Sequence, residues 1–310
     1  MNAPIPHFGE IMALAAAFIF SWTSVFFTSA GQRLGVTTVN LLRLPGATLC
    51  LALTHWAVQG RLWPEGVSWA DTGWIALSGV IGLAIGDSAL FKGFTLVGPR
   101  RSMTVMALAP VFTVVIAWIL LGERLGLWAM LGIVVVIAGV IIATMGKGNG
   151  TGKFGIIATP VFRKGMLLAL VASAGQGLGS AFAKLGMTGQ DGADGLDPLG
   201  ATLIRLAFAT LAFWIAVVPR LRLAELRQNL RDRKGLQALG VAILMGPFIS
   251  VWMSLVALKF TEAGIAQVLL GTVPIFVVLP SWLIYKDRPT PLVLLGTAVA
   301  VGGGALLFLR

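Results

Sequence analysis

Apolar residues run along this chain in blocks of roughly 20, each long enough to cross a bilayer, with short polar gaps between them. The blocks lie at about 9–28, 38–58, 74–96, 102–121, 125–145, 165–184, 198–218, 236–258, 263–285 and 291–309. They predict an all-α integral membrane protein with ten transmembrane helices, because only helices satisfy their own backbone groups in lipid at this block length. The gap after the second block carries Arg61, Pro64, Glu65 and Asp71, and the one after the seventh is a strongly basic run, Arg220 to Lys234.

The pattern is written twice. Sliding forward by 164 positions places Pro110 on Pro274, Trp118 on Trp282, Glu123 on Asp287 and Gly139 on Gly303. Earlier, Ser24 and Phe26 fall on Ser180 and Phe182, 156 apart, and Arg43 and Thr48 fall on Arg205 and Thr210, 162 apart. A loop insertion at Gly189–Gly195 absorbs the difference of 6. Residues 1–146 thus form one five-helix repeat, 147–164 a basic connecting loop, and 165–310 a second repeat. An odd number of crossings per copy makes the two enter the membrane from opposite faces, as two inverted five-helix repeats.

Composition supports this picture. Hydrophobic residues are 57% and charged residues 11%, where soluble domains carry about 25% charged. The 39 glycines suit close helix packing in lipid. The net charge of +11 does not indicate nucleic acid, because the basic residues lie between spans, where anionic lipid and the orientation rule account for them. Placing the connections after odd-numbered spans in the cytoplasm puts 15 Lys and Arg there against 5 outside, with Arg43, Lys92 and Arg205 inside spans. Both termini are then periplasmic. The single Cys50 excludes an intrachain disulfide and a thiolate metal cluster. The first residues lack a basic region, so the first span reads as a retained helix and not a signal peptide. No Walker sequence offers ATP as a direct energy source.

At Leu121-Gly-Glu-Arg124, followed by Gly132 and Ala138-Gly139, the chain resembles the EamA family of the drug/metabolite transporter superfamily. The second half departs from that pattern, with Lys286-Asp287 in place of Gly-Glu. The resemblance implies ten helices and a central cavity lined by spans one, three, four, six, eight and nine. It also implies export of small metabolites such as amino acids across a bacterial inner membrane. The partners expected are a small-molecule metabolite and membrane lipid, with protons as the coupling ion or uncoupled facilitated diffusion as the alternative, no nucleic acid and no cofactor, in a monomer or homodimer.

Buried polar groups in a span are costly, so each is a candidate for function. Asp87 is the one acid well inside a span, some 20 Å from its outer start at about 1.5 Å per residue, and is the candidate for proton coupling or for a substrate ammonium. Lys92, Gln176, Gln267, Ser24 and Ser180 are candidate substrate ligands. Trp22 and Trp252 lie away from the interfacial belts and could wall an amphipathic pocket, against the alternative of simple packing. Pro110 and Pro274 each remove a backbone bond and are candidate hinges. Arg43 and Arg205 read as anchors of helix ends. Asp191, Asp194 and Asp197 lack the spacing of a calcium loop, and no group of ligands suggests a metal site. Two alternatives to a transporter of small solutes are a lipid flippase and a membrane-embedded lipid enzyme. The enzyme would need a cluster of His, Asp, Glu or Ser near an interface, and the sequence offers none.

Overall fold

The structure, a computed structural model, describes residues 6–121, 126–145, 158–188, 196–261, 263–286 and 289–306. The Gly-Glu turn at 122–123, Arg124, the acidic loop 189–195, Asp287 and most of the expected connecting loop therefore lie outside the described residues. Among the described residues every element is helical. The chain opens with α1 (Phe8–Leu34), α2 (Val36–Gln59) and α3 (Trp69–Val97). Next come α4 (Pro99–Met106), α5 (Ala109–Leu121) and α6 (Leu127–Met145). The second half holds α7 (Thr159–Thr188), α8 (Pro198–Val217), the short α9 (Leu223–Asn229) and α10 (Arg233–Phe260). It closes with α11 (Ala263–Leu270), α12 (Val273–Phe276), α13 (Val278–Tyr285) and α14 (Pro291–Leu306). Six of these, α1, α2, α3, α7, α8 and α10, are long and apolar enough to cross a membrane, and shorter apolar helices accompany them.

Local sequence sets the boundaries. Ser68 caps α3 by accepting from the Asp71 amide at 3.0 Å, so this helix starts at Trp69, five residues before the apolar block does. Asp197 caps α8 through the Gly200 amide, with Pro198 at the first helical position. Gly35 and Gly98 sit at φ 74° and 86°, a region open to glycine, and let one helix follow another with a single intervening residue. The α7 helix begins at Thr159, so the end of the expected connecting loop is already helical.

Both prolines lie at interruptions. The α4–α5 break falls at Ala107–Leu108, where the amides reach only three residues back, to Thr104 and Val105, just before Pro110. The expected ninth span breaks around Gly271–Thr272 and again at Val277, flanking Pro274. The third and eighth spans carry a different irregularity, one wide turn each, at Gly79–Gly86 and Leu244–Ser250. There the Asp87 amide bonds the Gly82 carbonyl and the Val251 amide bonds the Gly246 carbonyl, positions 164 apart in both cases.

Packing follows the repeat. The α1 helix packs on α10 and α11, and its counterpart α7 packs on α3, α4 and α5. The α2 and α8 helices pack on each other, as do α6 and α14. Along α2, Leu41, Thr48 and Gln59 meet Trp214 and Thr210 of α8 and its capping residue Asp197. Numbers rise on one helix as they fall on the other, so α2 and α8 run antiparallel. The α6–α14 pair behaves alike. A Cβ on Gly139 would lie 2.3 Å from the Ala300 nitrogen, and one on Gly303 2.6 Å from the Val136 nitrogen. These two close approaches exchange positions under the same shift of 164.

Candidate functional site

Two turns into α2, Arg43 is 1% exposed, among the largest fully buried side chains of the described residues. Its Nη1 lies 3.0 Å from Asp87 Oδ2 on α3. Its Nε donates to Asn40 Oδ1 at 2.6 Å and its Nη2 to the Leu83 carbonyl at 2.8 Å. The Asn40 amide reaches Ser88 Oγ at 3.0 Å, so α2 and α3 are stitched by one polar network. The guanidinium also sits 4.6 Å from the Phe91 ring centre, and Phe91 stacks on Phe27 of α1. A charge removed from water is tolerable only with such a set of partners.

Arg205, the residue that matches Arg43 in the second half, is equally buried. It lies within the field of Asp87, yet its Nε and Nη2 have no hydrogen-bond partner. Glycines make room for it. A Cβ on Gly79 would fall 2.0 Å from the Arg205 carbonyl oxygen, and one on Gly82 2.8 Å from Nη2. From α7, Gly179 approaches the same Nη2. Both arginines are thus buried inside the bundle and do not anchor helix ends.

Asp87 and Arg205 face a common cavity of about 80 Å³, room for about three ordered waters at roughly 30 Å³ each or one small solute in their place. Among the described residues that line it, these two carry the charge. Gln176 of α7, Gln267 of α11, and Ser250 and Ser254 of α10 supply polar groups, while Met103 and Met106 of α4 and Phe20 of α1 supply apolar wall. Pro274 lines it as well. The helices that correspond to spans one, three, four, six, eight and nine all contribute, and α8 adds Arg205.

The other expected ligands sit elsewhere. Ser180 is buried and hydrogen-bonded by the Gln267 amide, so it positions that side chain from behind. Ser24 donates to the Ser21 carbonyl at 2.7 Å within its own helix. Trp22 is half-buried and does not line the cavity. Trp252, one residue and about 100° beyond the cavity-lining Val251, packs on the leucine-rich cluster of α2 and α8. Lys92 is exposed, turned about 140° from Asp87. It lines a separate, larger groove of about 690 Å³ together with Arg220 and Arg222. Pro110 is buried beside the α4–α5 break and does not line the cavity.

Sequence reasoning did not place Arg205 beside the cavity. The signal was present: the position 164 beyond Asp87 is Val251, so the basic residue is duplicated while its acidic partner is not. No group of residues that could hold a metal ion occurs among the described residues.

Long apolar helices, buried charges and a small interior cavity define a multi-pass membrane protein with a solute-sized polar centre. The chain matches the EamA-like transporter family over residues 7–145 and again over 163–309, and it belongs to that family. The two matches are its two repeats. Members of the family are transporters and not enzymes. A crystal structure of another protein shares the fold, with a TM-score of 0.64 at 18% identity over 97% of this chain and 95% of that one. No curated relative matches.

Proposed function

We propose that this protein is a secondary transporter that exports a small metabolite, such as an amino acid, across a bacterial inner membrane by alternating access. In this reading ten crossings form two inverted repeats, residues 1–146 and 165–310, with both termini periplasmic. The observation that carries it is the cavity: α1, α3 and α4 of the first repeat and α7, α8, α10 and α11 of the second converge on it. Transporters built this way hold their solute between the halves, near the midplane, and rock one against the other. The antiparallel course of α2 against α8 and of α6 against α14 supports the inversion, since each pair joins equivalent helices.

Gln176, Gln267 and Asp87 contact the solute, and Pro110 and Pro274, each at a helix break, serve as hinges. Asp87 is first the counter-charge of Arg43. It accepts a coupling proton only in a state where that guanidinium has moved away. The experiment is flux in proteoliposomes across a metabolite panel, with and without a pH gradient. Solute-specific flux that Asp87→Asn uncouples from pH is the expected result. Flux of lipid in place of any soluble metabolite would replace the reading with a flippase.

A further inference from the structure

We infer that Arg205 is the docking point for a carboxylate on the transported solute. This rests on the transporter reading above and narrows it to solutes that carry that group.

The argument starts from charge. Arg43, Asp87 and Arg205 are all buried, and together they carry a net charge of +1. The Arg43–Asp87 pair is closed: the carboxylate takes Nη1, while Asn40 and the Leu83 carbonyl take Nε and Nη2. Arg205 has no such set of partners: Nε and Nη2 are unbonded and enclosed by protein, Nη2 against Gly82 and Gly179, while the side chain, 1% exposed, lines the cavity. An unbonded guanidinium at this depth is costly, and a site keeps such a cost when a ligand relieves it. A carboxylate in the cavity beside Arg205 cancels the residual charge and can accept a charge-assisted hydrogen bond from the guanidinium. A doubly charged phosphate would overshoot it. The amides of Gln176 and Gln267, on the same cavity, can donate to the second oxygen. Val251 explains why the position is vacant of protein acid: it stands where the repeat would place a second Asp87, and it lines the same cavity.

The test uses purified full-length protein in lipid nanodiscs, with calorimetric titration of propionate, isovalerate, benzoate and hydrocinnamate, each beside the amine and the primary amide of the same skeleton. Carboxylates bind and the matched amines and amides do not. Arg205→Gln weakens carboxylate binding at least about tenfold, as expected for a lost charge-assisted hydrogen bond, and Arg205→Lys weakens it less. Because Arg205→Gln removes a buried side chain, a second variant leaves Arg205 in place. Val251→Asp supplies the missing acid and abolishes carboxylate binding. Failure of every carboxylate to bind, preference for amines, or binding unchanged in both Arg205→Gln and Val251→Asp overturns the inference. Flux of the same compounds separates this from the reading beneath it. Carboxylates that bind without crossing the membrane keep the site and end the transporter reading. Flux of amines alone keeps the transporter and ends the site.

Discussion

Asp87 Oδ2 and Arg43 Nη1 meet 3.0 Å apart on two neighbouring helices, at a depth where neither is more than about a tenth exposed. Removing one member of a buried pair strands the other, which typically costs about 3–5 kcal/mol. Arg43→Met and Asp87→Leu should each lower the melting temperature in detergent, and the double variant should recover much of the loss. Additive losses in that double-mutant cycle would show that the pair is not coupled.

Two glycines of α3 make opposite predictions on one helix. Gly79→Ala puts a methyl 2.0 Å from the Arg205 carbonyl oxygen, whereas Gly73→Ala meets nothing within 4 Å. Gly79→Ala should destabilise by about 1–3 kcal/mol or more through overpacking. Gly73→Ala should be neutral, or stabilising by up to about 1 kcal/mol through helix propensity. Unfolding in SDS reads both, and equal effects would contradict the packing described.

Gly139 and Gly303 occupy equivalent places in the α6–α14 crossing. Alanine at either should therefore cost a similar amount, again about 1–3 kcal/mol. A loss confined to one variant would mean that the crossing is not symmetric.

Lys92 lies outside the central cavity and Gln267 lines it. In the flux assay Gln267→Ala should raise KM by about tenfold, and Lys92→Ala should leave KM within about twofold. Pro110→Ala and Pro274→Ala should each slow turnover by roughly tenfold, a barrier change of about 1.4 kcal/mol, and Pro110→Ala, off the cavity wall, should do so with solute binding kept. Loss of binding in Pro110→Ala instead would make that proline part of the pocket's shape and not of its motion.

At the start of α10, Asp232 accepts from the Gly235 amide at 3.0 Å and from Arg33 of α1, also at 3.0 Å. These bonds hold its carboxyl below the ordinary value of 3.8. A depressed folded pKa means that the contribution is present above the unfolded pKa and is lost as pH falls through the folded one. The melting temperature of the native protein should thus drop below about pH 4 relative to that of Asp232→Asn. Parallel curves would remove Asp232 from the account.

The apolar blocks and the shift of 156 to 164 were legible in the amino-acid order. Block length against bilayer thickness is a one-dimensional property, and so is a repeat. Hence the helices, the two copies and the family could be named before any coordinate, and Asp87 stood out as an acid inside a span. What lay across the bundle was hidden. Which face of a helix looks inward depends on its neighbours, so Trp22, Trp252 and Lys92 looked like cavity residues until packing turned them to other surfaces. The same packing brought Thr48 against Thr210 at 3.2 Å, two copies of one residue meeting each other. It also set Arg43 against Asp87 and Arg205 beside the cavity; the missing second acid is written in the sequence as Val251, but only the packing shows what stands next to each arginine.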